Sequence, residues 1–114
     1  MEINKADLGV ATVLRLRGDL DEEGVGVLRT SLLECIKGKK RNVVVDLSGT
    51  RYVSYLGIGV LLERMRQLRA VGGDMKLSGL NLFAQRTFHM ASVTAMFTIH
   101  ETEAQAIEGF RAAA

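Results

Sequence analysis

The chain has 114 residues, 47% of them apolar, which is enough for one hydrophobic core; no proline, Gly/Ser-rich tract or internal repeat marks a linker or second domain. Fifteen Lys and Arg against thirteen Asp and Glu leave a net charge of +2, too mild to point to nucleic acid or to insertion in a membrane. A lone cysteine, Cys35, excludes an internal disulfide, no apolar leader follows Met1 and no apolar run reaches bilayer length, so a cytoplasmic protein is expected.

In chain order, Ile3 opens a short first strand and Asp7-Leu8-Gly9 a turn. Residues 10–17 alternate, with Val10, Thr12, Leu14 and Leu16 on one side, which predicts a strand with one face buried. Asp21 is placed to cap a helix, with Glu22 and Glu23 against the positive end of its dipole. Val25, Leu28, Leu32 and Ile36 form the buried stripe of that helix, Leu33 and Cys35 lie beside it, and Gly38 stops it.

After Lys39, Lys40 and Arg41, the β-branched run Val43-Val44-Val45 predicts a central strand covered on both faces, ending at a turn built from Asp46, Leu47, Ser48 and Gly49. A second helix begins near Gly57 and Gly59. Ile58, Leu61, Leu62, Met65 and Leu68 form its apolar face, and Glu63, Arg64, Arg66, Gln67 and Arg69 its solvated one. Gly72-Gly73 ends it, and Met75 and Leu77 alternate with Lys76 and Ser78 in a further strand. Residues 80–91 are expected to form a third helix with Phe83 and Phe88 or Met90 inward, and residues 96–99 the last strand. Thr102 with Gln105 is a capping-box pattern for a terminal helix whose apolar face is Ala104, Ile107 and Phe110. Strands alternating with helices imply parallel pairing, with an N-terminal hairpin making the sheet mixed.

Catalytic chemistry has little to work with. His89 and His100 have no second thiol or paired-ligand spacing around them, so no metal is expected, and a core-side Cys35 reads as a small hydrophobe rather than a nucleophile. Asp46, Ser48 and Ser54 could converge at the carboxyl end of the sheet, where open α/β sheets bind ligands; the alternative is that they satisfy backbone groups in turns. Gly57-x-Gly59 lacks the rest of a nucleotide-binding fingerprint. Ser54 reads as a helix cap, a phosphoacceptor, or both at different times. Arg64, Arg66, Arg69 and residues 39–41 are basic but lack interleaved aromatics, so no nucleic-acid partner is expected.

The run VVVDLSGTRYVSYLGIGVLLERMRQLRAVGGDMKLSGLN resembles the core of a STAS domain, the fold of bacterial anti-sigma factor antagonists, and the resemblance extends from Arg17-Gly18-Asp19-Leu20-Asp21 to residues 92–106. It implies a single α/β domain over residues 1–114, a mixed sheet of four to five strands flanked by about four helices, acting by protein contact without cofactor or catalysis. The implied partner is an anti-sigma factor or related serine kinase, with a serine phosphatase reversing the switch. The partner would meet Asp21, Ser54, Tyr55, Leu56, Gly57, Ile58 and Leu62, while Asp46, Ser48, Gly49, Gly57 and Gly59 shape the turns.

The family's usual corner reads Asp-Ser-Ser-Gly, with the first serine phosphorylated. Aligned on Gly57, Tyr55 occupies the phosphoserine position, Ser54 the aspartate and Leu56 the second serine. The resemblance therefore implies partner binding without the usual phosphoserine control, or a displaced acceptor at Ser54. An alternative within the same fold is a scaffold subunit of a larger assembly, stressosome-like or part of a lipid-transport complex. A small enzyme using Asp46 and Ser54 is a third reading.

Overall fold

The computed structural model describes residues 1–113. Strand β1 (Glu2–Asp7) pairs antiparallel with β2 (Thr12–Arg17), setting Lys5 opposite Leu14. The turn between them is closed by the Leu8 N–H donating to the Ala11 carbonyl at 2.9 Å, and Gly9 adopts φ +80° there. Strands β3 (Asn42–Gly49), β4 (Asp74–Ser78) and β5 (Thr98–His100) follow in parallel, giving the order β1-β2-β3-β4-β5. The expected mixed sheet is thus present with five strands.

Helices α1 (Glu22–Lys37), α2 (Tyr55–Ala70) and α3 (Leu82–Met90) supply the core on one face of this sheet, and α4 (Glu103–Ala113) covers the other. Alternation along β3 explains its run of three valines. Val43 and Val45 enter the larger core with Leu28, Leu32, Leu61, Met65, Leu68 and Phe88, whereas Val44 meets Ala106 and Phe110 of α4. Every one of these side chains is nearly or fully removed from water, and each large one contributes about 1.5–3 kcal/mol by burial. Arg15 ties α4 to the sheet through a two-pronged ion pair with Glu103, at 2.9 and 2.7 Å. Gln105 donates its backbone N–H to Thr102 Oγ1 and accepts from the Glu101 N–H, so the predicted Thr-Gln cap forms.

Five expectations are corrected. Strand β2 is buried on both faces around Val13, because α4 covers the side that alternation alone would leave to solvent. Arg64 is buried at 8% exposure; its guanidinium lies toward α1, donating to Gln67 Oε1 at 2.8 Å and to the Arg29 carbonyl at 3.5 Å. In α3 only Ala84 and Phe88 face the core, so Phe83 and Met90 point outward. Residues 94–96 form a 3-10 turn, closed by the Met96 N–H on the Val93 carbonyl, so the last strand starts at Thr98. In α4 the inward alanine is Ala106 and not Ala104, which shifts the apolar face to Ala106, Ile107 and Phe110.

Phe88 has no exposed surface and meets Phe97 edge-on with ring centroids 5.4 Å apart. Phe88→Ala is expected to destabilise the fold by about 3–5 kcal/mol, while Phe83→Ala stays within about 0.5 kcal/mol of the parent. Urea unfolding of both variants checks the two directions.

Candidate functional site

The parallel strands all end at one pole, and two loops are tied together there. The Leu20 N–H donates to the Tyr52 carbonyl at 2.8 Å, and the Ser54 N–H donates to the Leu20 carbonyl at 2.9 Å. Leu20 thereby forms an isolated parallel bridge with Val53. Its side chain, with no exposed surface, sits where a Gly57 side chain would be. A Cβ at Gly57 would lie 2.8 Å from both Leu20 Cγ and Cδ2, so glycine is required by packing.

All four helices begin at this pole, and the three on the larger face are each closed by their own side-chain cap. Asp21 Oδ1 accepts the Gly24 N–H at 2.9 Å, Ser54 Oγ accepts the Gly57 N–H at 3.0 Å, and Asn81 Oδ1 accepts the Ala84 N–H at 2.8 Å. Asn81 also donates from Nδ2 to the Arg51 carbonyl at 3.0 Å, which fixes the start of α3 beside the β3–α2 loop. The first turns of α2 and α3 therefore flank one loop.

The groups once grouped as possible catalysts are kept apart. Asp46 lies on the same face of β3 as Val44, the α4 side, whereas Ser54 leads into α2 on the opposite face. Asp46 is also occupied: Oδ1 accepts from the Ser48 N–H and Ser78 Oγ, and Oδ2 from Ser48 Oγ, at 3.0–3.2 Å. These bonds hold the ends of β3 and β4 together; Asp46, Ser48 and Gly49 lie within β3 itself and not in the turn expected there, because the strand pairing continues to Gly49. His100 sits near Lys76 and Gly109, and burial, helped by the Lys76 charge, pushes its pKa below the usual imidazole value. Cys35 is buried, and desolvation pushes its thiol pKa up, which suits an inert core residue better than a nucleophile. Among the described residues no group of three His, Cys, Asp or Glu is arranged to hold a metal ion.

The remaining residues named from sequence divide by burial. Tyr55 and Leu56 are 60% and 50% exposed on the first turn of α2, Asp21 and Ser54 are half-buried at their caps, and Leu62 is half-buried about two turns on. Gly57 and Ile58 face the interior, which removes them as direct contacts: Gly57 receives Leu20, and Ile58 belongs to the core. Gly49 is required, since a Cβ would stand 2.6 Å from the Leu16 carbonyl oxygen, but Gly59 faces open space and has no steric need to be glycine.

Sequence reasoning missed three exposed apolar residues of the same pole: Tyr52 in the loop, and Leu82 and Phe83 in the first turn of α3. The signal was present in Ala84 and Phe88, whose spacing of four defines the buried stripe of α3 and turns Phe83 away from it. With Tyr55 and Leu56 these residues leave large apolar side chains exposed on both sides of one rigid loop, the kind of surface that marks a protein contact.

A family model described as STAS domain matches residues 2–106. The chain is 30% identical over 100 residues to an anti-sigma F factor antagonist of Lysinibacillus sphaericus, covering 87% of this chain and 85% of the relative. It is 25% identical over 96 residues to the protein of the same name from Paenibacillus polymyxa, covering 83% and 82%. The fold is similar to that of the anti-sigma factor antagonist SpoIIAA in its unphosphorylated form, with TM-score 0.83, 23% identity and 97% of each chain covered. An anti-sigma factor antagonist from Mycobacterium paratuberculosis superposes with TM-score 0.88 at 16% identity, over 96% of this chain and 93% of the other. Sequence relatives and fold agree over nearly the whole length, and the chain belongs to the STAS domain family, as an anti-sigma factor antagonist-like member.

Proposed function

We propose that this protein captures an anti-sigma factor of the serine-kinase type through the pole bearing Tyr55, and that the capture is not controlled by a phosphoserine at the family's usual position. The observation that carries this reading is the exposure of Tyr55 and Leu56 above a frame locked by Leu20 and Gly57. A preorganised aromatic of this kind forms an effective interface anchor, because little freedom is lost when it binds. The relatives' names support an anti-sigma factor as the partner class, and the exposed apolar side chains support this pole as its docking place.

A serine kinase site shaped for a short hydroxyl does not accommodate the phenol of Tyr55. The neighbouring hydroxyl, Ser54 Oγ, is half-buried and holds the Gly57 N–H. Tyr55 then acts as a contact and Ser54 as a cap. A phosphatase has no substrate at this corner under that reading. A phosphate on Ser54 would add about −1.5 to −2 charges at the start of α2 and repel an acidic partner surface.

Calorimetric titration of the purified anti-sigma factor is expected to show affinity lowered about tenfold or more by Tyr55→Ala. Unchanged affinity would remove Tyr55 from the interface. Ser54→Ala is expected to lower folding stability by about 1 kcal/mol while leaving partner affinity nearly unchanged. Intact-mass spectrometry of the protein, incubated with the kinase and ATP or taken from growing cells, is expected to show no added phosphate; phosphate on Ser54 would restore a displaced switch.

A further inference from the structure

The opposite end of the sheet carries a different surface, built where the loops 8–11, 38–41 and 71–73 meet. Lys40 Nζ donates to Asp7 Oδ2 at 2.6 Å, joining the first loop to the second, and the Asp74 N–H donates to the Arg41 carbonyl at 3.0 Å, joining the second to the third. Gly73 lies so close to the Arg41 backbone that no Cβ fits. The α1–β3 loop is further set by backbone bonds from Gly38, Lys39 and Lys40 to carbonyls of the last turn of α1. Lys39 holds φ +60°, a conformation of low intrinsic preference for a lysine.

Two acids of this pole are engaged, Asp7 with Lys40 and Asp74 with Arg69, and Glu34, one turn back on α1, is exposed. Lys37, Lys39 and Arg41 are exposed and have no ion-pair partner among the described residues. A helix C-terminus by itself rationalises Lys37. It does not rationalise Leu8 and Val71, each 46% exposed at a loop tip beside these cations. Val71 and Arg41 share a shallow depression with Ile36, Lys39, Lys40 and Leu68.

We propose that this pole docks reversibly on an anionic lipid bilayer. Basic side chains near an anionic membrane raise partitioning by roughly fivefold each, so three free cations give about a hundredfold preference over a zwitterionic surface at low salt. The aliphatic tips of Leu8 and Val71 would enter the headgroup boundary, as apolar residues beside a basic rim do in peripheral proteins. Single-stranded nucleic acid fits less well, because its bases stack on exposed aromatics, and Phe110, which lines a depression here with Val10 and Gly73, is buried. Docking by this pole leaves Tyr55 pointing away from the membrane, so the inference neither needs nor disturbs the partner reading.

The test is flotation of the full chain with vesicles of phosphatidylglycerol and phosphatidylcholine at 3:7, against pure phosphatidylcholine, in low salt. The expected result is binding to the anionic vesicles only, reversed by about 0.5 M salt. The triple variant Lys37→Gln, Lys39→Asn, Arg41→Gln should lose about a hundredfold in partitioning, with an unfolding midpoint near the parent's. A Leu8→Ser variant separates the apolar contribution and should weaken binding severalfold. Absence of binding to the anionic vesicles, or binding indifferent to the triple substitution, overturns the proposal. So does tighter binding to a double-stranded DNA fragment than to the vesicles.

Discussion

The contact on which the rest of this structure depends is Leu20 lying in the space that Gly57 leaves empty. Two backbone hydrogen bonds, to Tyr52 and from Ser54, hold Leu20 in line with Val53 as a one-residue extension of the sheet. Its side chain then packs across the start of α2. Close approach of loop and helix at this point requires a residue without Cβ on one side and a branched apolar residue on the other. The caps Asp21 and Ser54 directly follow Leu20 and Val53 in sequence, so one bridged contact orients both helix starts. The exposed side chains of Tyr55 and Leu56 inherit their directions from it.

A second constraint acts through the sheet. Since side chains alternate along a strand, whatever covers one face determines half of each strand's residues. The helices on the larger face take Leu14, Val43, Val45, Met75 and Leu77, and α4 takes Ala11, Val13 and Val44. The same alternation sends Asp46 to the α4 side and separates it from Ser54. An arrangement that looks catalytic when the chain is written as a line becomes two independent hydrogen-bonding tasks, one joining strand ends and one capping a helix.

The two poles of the sheet are chemically distinct because parallel strands place all their outgoing loops at one end and all their incoming loops at the other. The outgoing end holds the helix caps and exposed aromatics, and the incoming end the three uncompensated cations near Leu8 and Val71. A net charge of +2 conceals this, since the acids Asp21, Glu22 and Glu23 start α1 and Lys37 ends it. Segregation along the helix dipole accounts for part of the pattern, and the meeting of three separate loops concentrates it.

Local pattern determined much of this protein from sequence alone: the strand and helix identities, the Asp21, Ser54 and Thr102 caps, the fully covered β3, and the departure of residues 54–56 from the family corner. These are properties of adjacent residues, legible because helix and strand periods are short. Tertiary structure alone decided which face of β2 and α3 met a neighbour, why Arg64 lies under α1, and that Leu82 and Phe83 stand near Tyr52. It also decided that Gly57 and Ile58 support the site from beneath instead of forming its surface. The physical reason is that burial depends on contacts between residues distant in the chain, and periodicity says only that one side of an element is apolar. Which side faces water is settled when another element packs against it.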